Sequence, residues 1–428
     1  MTPSLPVVWL CIIAVSASAA PKGSAPAKAQ PAAALFEPSV KPEGFLPRAT
    51  PAQVGLRPDK LAALIAEAQA AGSDSLVILK NGKVVVERYF GQEVGLIELM
   101  SATKGIVALA VGLLLADKKI PSLDTPLSTY YPEWRGGQKG QVTLRHVLTN
   151  TSGLQNATST VALTSQPDRL KHVRALPIVE TPGKKFAYNN EAVQLLSGVI
   201  ATAAGKPVDA FIAERIFTPL GITTWTWAKD KAGQVQTFYG LALSARDWAK
   251  VGLMLASGGV WNGKPVVPAD WVRAISTPAE VNAHYGYLWW LRRRGPFFVH
   301  TAALAEGWAK AGFGSSAKLK GWVDVPFESR EAFWIQAGGS LTPGEREALV
   351  ELLPRLPNAL EQKPQTTAGF YAEGWLGQKL VVYPEWNLVA VRQRRMSAGG
   401  GPEEAEKNGF GGFYRALEAA VVTNRAIP

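Results

Sequence analysis

Leu99-Met100-Ser101-Ala102-Thr103-Lys104 runs directly into Gly105-Ile106-Val107-Ala108-Leu109-Ala110-Val111-Gly112-Leu113-Leu114-Leu115-Ala116. From Gly105 to Ala116 no side chain is charged or strongly polar. That pattern predicts a helix that is apolar all round and therefore buried. The run is far too short to cross a bilayer. Ser101 stands where this helix begins and Lys104 follows three residues later, so the hydroxyl and the amine share one face. A serine hydroxyl becomes a good nucleophile when a neighbouring base takes its proton, and a partly desolvated lysine can be that base. The helix N-terminus adds unpaired N–H groups that suit a developing oxyanion. Taken alone, the same residues equally describe an N-cap serine beside a solvated lysine. A second Ser-x-x-Lys, Ser315 to Lys318, precedes no apolar helix and reads as surface loop.

The rest of the composition narrows the class. With 428 residues, 47% hydrophobic and 18% charged, the chain is long enough for a sizeable core. Residues 1–19 read as an export signal: 7–15 form an apolar run, and Ala17-Ser18-Ala19 offers a cleavage site, although no Lys or Arg precedes the run. The expected location is secreted or periplasmic, with no membrane span once the signal is removed. The single cysteine, Cys11, lies inside that segment, so a mature chain would carry neither disulfide nor thiol nucleophile. The net charge of +11 is scattered, densest at Arg292-Arg293-Arg294, and no nucleic-acid motif accompanies it.

Residues 20–43 are rich in Ala, Pro, Ser and Lys and read as a flexible linker, with folding expected from 44 to 428. A helix is expected over 58–71. Strands over 75–80 and 83–89 flank Asn81-Gly82, the signature of a hairpin with a type I′ turn. Residues 205–290 read as largely helical. Strand patterns return at 370–376, 378–383 and 387–393, and a closing helix is expected over 412–422. Sheet material at both ends with helices between predicts one discontinuous α/β unit. Its α/β part covers about 44–115 and 369–428, its helical part about 116–291, and an insertion about 292–368.

Two further patterns carry chemistry. Tyr188-Asn189-Asn190 follows the Pro182-Gly183 turn and precedes a helix. A tyrosine beside a cationic lysine can relay a proton, and the Asn190 amide can donate to a substrate carbonyl. In isolation they also fit a half-buried aromatic and a helix N-cap. Tyr371-Ala372-Glu373-Gly374-Trp375-Leu376-Gly377-Gln378 lies on a late strand. There Gly374 would let a substrate lie against the strand, and the next N–H could be an oxyanion donor; a glycine bulge is the structural alternative.

Ser101-x-x-Lys104, then Tyr188-x-Asn190, then a strand bearing Gly374 resembles the serine β-lactamase and penicillin-binding protein superfamily, whose Ser-x-x-Lys signature is well defined. The Tyr-x-Asn form is similar to the branch of class C β-lactamases, esterases and D-amino-peptidases. Residues 148–154, 182–190, Pro219-Leu220-Gly221 and 244–249 also match stretches of that branch. The resemblance implies a β-lactamase/transpeptidase-like fold, an antiparallel sheet flanked by helices plus a mostly helical subdomain. It implies a serine hydrolase acting through an acyl-enzyme, with Ser101 as nucleophile, Lys104 and Tyr188 shuttling the proton, and no cofactor or metal. Asn190 would orient the substrate, Ser101 and Trp375 would supply the oxyanion N–H groups, and Gln378 would line the pocket.

Ala372-Glu373-Gly374 departs from the family's Lys-Thr-Gly or His-x-Gly, and Asn150 replaces a usual histidine. A missing cation and an acidic Glu373 nearby would disfavour a penicillin carboxylate. Ala-x-Gly-x-x-Gly-Gln instead resembles the 6-aminohexanoate-dimer hydrolase and esterase branch. The expected partner is a small amide or ester, with a cell-envelope peptide as a second candidate. D-Alanyl carboxypeptidase, weak β-lactamase and a non-catalytic envelope-binding module remain as alternatives. No Gly-x-Ser-x-Gly elbow is present, and His146, His172, His284 and His300 fall in no metal spacing.

Overall fold

The Asn-Gly turn positions the first hairpin. Asn81 and Gly82 both take positive φ, 53° and 72°, as a type I′ turn requires. They join β1 (Ser75–Lys80) to β2 (Lys83–Tyr89). Four later strands complete the sheet: β3 (Trp290–Arg294), β4 (Thr366–Gly374), β5 (Gln378–Tyr383) and β6 (Leu388–Gln393). The order is β2-β1-β6-β5-β4-β3, and every neighbouring pair is antiparallel.

This computed structural model describes residues 35–36, 45–91, 95–157, 160–327, 329–352, 360–396 and 410–422. The expected export signal lies outside them, as does the expected linker apart from Leu35 and Phe36. Those two residues run along β2, where Glu87 N donates to Leu35 O at 2.8 Å and Val84 N to Pro47 O at 2.8 Å. These bonds occupy the edge of a strand that would otherwise be open to pairing.

Strand alternation sends residues to two faces. Val77, Ala372, Leu380, Val389 and Val391 belong to the main core, on the side of α2 (Thr103–Ala116) and α3 (Ala245–Ala256). The opposite face meets α4 (Phe413–Ala419). There the Tyr371 and Tyr414 rings lie 4.6 Å apart, and Tyr383 bonds Glu418. Helix α1 (Pro58–Ala70) packs on α4, its Leu61, Leu64, Ile65 and Ala68 buried as their helical spacing predicts.

Helix α2 is buried throughout from Thr103 to Leu114. Each large aliphatic side chain it hides contributes about 1.5–3 kcal/mol. Its glycines are slots for indoles. A Cβ on Gly112 would fall 2.1 Å from Trp271, whose Nε1 donates to Ala108 O at 3.0 Å. One on Gly105 would meet Trp289 at 3.0 Å, and Trp289 Nε1 donates to Gly105 O.

Three features of the fold bear on the expected division of the chain. Helix α3 lies against the sheet rather than within a separate helical part, because Gly252 lets Val389 and Leu380 approach it. Residues 205–290 are also less helical than expected: 218–244 hold turns and the short strands Thr226–Trp227 and Leu241–Leu243. The insertion is narrower than 292–368, since Arg294 pairs with Thr366 and Arg292 with Gly369 inside the main sheet. What lies between is an elaborated β3–β4 connection with its own small sheet. Trp308, Phe313, Leu319, Phe327, Phe333 and Leu349 form a hydrophobic core of its own. Among the described residues, no single helix is long and apolar enough to cross a membrane.

An insertion with adjacent ends and its own core is replaceable. Exchanging 296–364 for a short turn is expected to leave one cooperative thermal transition within about 2 °C of the parent, the order of effect of roughly 1 kcal/mol in a chain larger than about 250 residues. Loss of cooperative unfolding in calorimetry would show that the main sheet depends on the insertion.

Candidate active site

Ser101 lies in a tight turn, Met100–Ala102, that feeds α2. Met100 takes φ 51°, a left-handed conformation unusual for a residue with a side chain. The turn is anchored to Leu241, since Leu99 N donates to Leu241 O at 2.8 Å and Leu241 N to Thr103 Oγ1 at 3.3 Å. Lys104 is 1% exposed, which removes its ammonium from water. Its Nζ lies 3.0 Å from Ser101 Oγ and 2.8 Å from the carbonyl oxygen of Phe238. Burial pushes its pKa below the ordinary lysine value, while Tyr188 and then Glu191 pull the other way. A neutral amine 3.0 Å from the hydroxyl is within reach to accept its proton.

Tyr188 presents its ring to the same amine, with Nζ 4.8 Å from the ring centroid. Trp290, the first residue of β3, stacks on Tyr188 at 6.0 Å and 15°, and meets Tyr285 edge-on at 4.7 Å. The helix after the motif, Asn190–Gln194, is capped by Asn189 and not by Asn190, because Asn189 Oδ1 accepts from Ala192 N at 2.8 Å. Asn190 donates to Thr160 Oγ1 at 3.4 Å, and its buried Oδ1 has no partner among the described residues. Its amide is bonded to neither Ser101 nor Lys104. Asn150 is buried and ties the motif in place. It accepts from Asn189 N at 3.0 Å, donates to the Tyr285 hydroxyl at 2.9 Å, and its carbonyl accepts from Ala187 N.

Gly374 brings the late strand against the serine turn. A Cβ there would stand 2.3 Å from Leu99 O, 2.9 Å from Met100 Cβ and 3.1 Å from Ser101 N. The glycine therefore makes room for the backbone of the turn, where the sequence alone suggested room for substrate. Trp375 follows it and is exposed. The 375–377 turn is fastened from behind by Arg392, whose Nη1 donates to Leu376 O at 2.8 Å and to Gly377 O at 2.9 Å. Gln378 does not line the site. It is buried, its Nε2 donates to Arg394 O, and its Oε1 accepts from Arg394 N at 3.1 Å. Glu373 also differs from expectation. Alternation along β4 turns it to the α4 face, where it pairs with Lys379 beside Tyr414. It is neutralised there, on the side of the sheet opposite α2.

The second Ser-x-x-Lys has a structural use. Ser315 Oγ donates to Glu345 at 2.7 Å and Lys318 pairs with the same carboxylate at 2.6 Å, which holds the Glu345 pKa down to about 2. His146 closes a capping box with Thr143. Phe238, Tyr285, Trp290, Glu191 and Arg392 belong to none of the motifs the sequence shows. An arginine inside an otherwise apolar strand, and the aromatic run 285–290, were the signals available.

A Ser–Lys pair heading a buried helix, faced by a tyrosine and by a glycine-bearing strand of an antiparallel sheet, defines the class. The chain belongs to the Beta-lactamase family, whose sequence model matches residues 61–409. Esterase EstB of Burkholderia gladioli is 30% identical over 176 residues, which cover 34% of this chain and 44% of the esterase. The 6-aminohexanoate-dimer hydrolase of Paenarthrobacter ureafaciens is 28% identical over 265 residues, 53% of this chain and 64% of the hydrolase. Both alignments span less than two thirds of those relatives. In fold, a penicillin binding protein from Bacillus halodurans superposes with a TM-score of 0.52 at 16% identity, covering 83% of this chain and 99% of that one. FmtA from Staphylococcus aureus gives 0.54 at 14% identity, covering 86% and 92%.

The contact at Gly374 yields a prediction. Gly374→Ala forces the serine turn to move, and a displacement of about 1 Å can cost roughly 100-fold in rate. The variant is expected to stay folded and lose about that much kcat on an activated ester. A wild-type kcat would show that the turn accommodates the methyl group without disturbing Ser101.

Proposed function

We propose that the chain is a serine hydrolase that cleaves a small amide or ester through an acyl-enzyme on Ser101. The observation that carries this reading is the 3.0 Å contact between Ser101 Oγ and the buried Lys104 amine. In the forward step Ser101 Oγ bonds to the substrate carbonyl carbon as its proton passes to Lys104 Nζ. The N–H groups of Ser101 and Trp375 receive the oxyanion, a role carried over from the family and supported by the approach of Gly374 to Ser101 N. The proton then passes, with Tyr188 as relay, to the leaving nitrogen or oxygen. Water attacks the ester so formed by the reverse route. Asn190 Oδ1, buried and without a hydrogen-bond partner among the described residues, is an acceptor left for a substrate N–H.

By their names, two of the relatives above are an esterase and a 6-aminohexanoate-dimer hydrolase, and another, from Escherichia coli, is described as a D-alanyl-D-alanine-carboxypeptidase/endopeptidase. Ala372 favours the first two kinds. It is buried against Gly105, so β4 offers no cation for a substrate carboxylate where the family's β-lactamases place one. Export through residues 1–19 is part of the same proposal, and places the substrate outside the cytoplasm.

Purified protein is expected to turn over p-nitrophenyl acetate and short amides while acquiring little label from a fluorescent penicillin. Stoichiometric penicillin labelling would move the assignment to a carboxypeptidase or β-lactamase. The pH dependence follows from Lys104. Only its neutral form accepts the serine proton, so kcat/KM rises with pH and levels off below the ordinary lysine pKa of about 10.4. Lys104→Arg, permanently charged, is expected to lose about 100- to 10,000-fold in kcat/KM at every pH.

A further inference from the structure

Gln194 and Thr237 belong to no catalytic motif, yet both are polar side chains with no exposed surface. Gln194 ends the helix Asn190–Gln194 that opens in the Tyr188-x-Asn190 motif. A buried glutamine needs partners for both ends of its amide. Gln194 finds them on one distant segment: its Nε2 donates to Val235 O at 3.1 Å and its Oε1 accepts from Thr237 N at 3.1 Å. Its Nε2 also lies 3.2 Å from Ser197 Oγ. Thr237 returns the contact, with Oγ1 donating to Val193 O at 2.8 Å. The helix after Tyr188 and the segment 235–237 are therefore laced together from both sides.

The next residue is Phe238, whose carbonyl oxygen accepts from Lys104 Nζ at 2.8 Å. The far end of the same segment is fixed to the nucleophile. Leu241 N donates to Thr103 Oγ1 at 3.3 Å, and Leu241 O accepts from Leu99 N at 2.8 Å. Residues 235–241 thus span from the motif helix to the serine turn, with the Lys104 amine held near the middle. A neutral amine has two N–H groups and one lone pair. With one N–H given to Phe238 O, the lone pair can be turned to the Ser101 hydroxyl, 3.0 Å away. A displaced carbonyl would turn the amine away from that line. Apolar side chains at 194 and 237 would fill the core equally well, so what the amide and the hydroxyl add is a fixed place for the Phe238 carbonyl.

We propose that Gln194 and Thr237 are positioning residues for Lys104, holding the Phe238 carbonyl, and through it the amine that takes the Ser101 proton, to the helix that follows Tyr188. The proposal rests on the serine-hydrolase reading above. Neither side chain touches substrate. Both act on the orientation of the base, so their loss slows the covalent step and leaves the initial binding of a reagent unaltered.

Thr237→Val keeps the shape of the side chain and removes the hydrogen bond to Val193 O. The test is inactivation by a fluorophosphonate, in which Oγ bonds to phosphorus, fluoride leaves and Lys104 takes the Oγ proton. The rate constant kinact is expected to fall about tenfold, less than the roughly 100-fold that a full 1 Å misplacement can cost, with KI unchanged. Thr237→Ser, which keeps the hydroxyl, is expected to restore kinact to near that of the parent. Gln194→Met, which removes the bonds to Val235 O and from Thr237 N, is expected to lower kinact further, again at constant KI. Thermal melts give the folded fraction on which each constant is read. A folded Thr237→Val with the kinact of the parent would overturn the proposal, as would a loss carried by KI or an equal loss in Thr237→Ser. If Thr237→Val does not fold, Gln194→Met is read by the same criteria; failure of both to fold would make the two residues structural and overturn the proposal. An unlabelled parent chain is a separate result, which overturns the hydrolase reading and this proposal with it.

Discussion

Lys104 sits where burial favours the neutral form of an alkyl amine, with its Nζ confined between Ser101 Oγ and the Phe238 carbonyl and its stem inside the core. Moving an ammonium out of water is penalised heavily unless it is paired, and the usual outcome is a lowered pKa. The surrounding fold serves that condition. Helix α2 is buried from Thr103 to Leu114, so its first turn has no solvated face. Trp289 and Trp271 fill the grooves opened by Gly105 and Gly112, and the sheet closes the remaining side. A polar side chain on the face of α2 that meets the sheet would bring in a hydrogen-bonding demand that the core cannot meet.

The same sheet explains why the altered third motif leaves the site intact. On β4, Ala372 and Gly374 face α2, and Tyr371 and Glu373 face α4. An acidic residue at 373 is harmless to the nucleophile because it lies on the other side of the sheet, paired with Lys379. What the departure changes is the charge available to a substrate. The strand contributes backbone and small side chains where a cation would recognise a carboxylate, which is the ground for proposing neutral amides and esters as the substrates. Arg392 sets the turn that follows, donating to two of its carbonyl groups. Removing a buried arginine of this kind leaves those acceptors unsatisfied and is strongly destabilising.

Much of this was legible in the chain itself. The hairpin around Asn81-Gly82, the buried helix, the late strands and the Ser101–Lys104 pair all rest on local rules of spacing and φ, and local rules survive folding. The neighbours of Gln378, Glu373 and Gly374 are not legible in the sequence, because which face a strand residue takes depends on register with β5 and on what packs beneath. Phe238 was invisible for a different reason. It acts through its carbonyl oxygen, which every residue carries, so no side-chain pattern marks it. Trp290 and Tyr285 reach Tyr188 only through tertiary contacts between distant segments. Helix α3 was placed with its sequence neighbours, although its apolar face answers to β5 and β6.

The central claim is that Ser101, activated by Lys104, is the nucleophile. The direct measurement is intact-protein mass spectrometry after brief exposure to a fluorophosphonate, followed by peptide mapping, on the parent chain and on Ser101→Ala and Ser315→Ala. The account predicts one adduct, on the peptide containing Ser101, lost in Ser101→Ala and retained in Ser315→Ala. An unlabelled parent chain, or equal labelling of both variants, would contradict it.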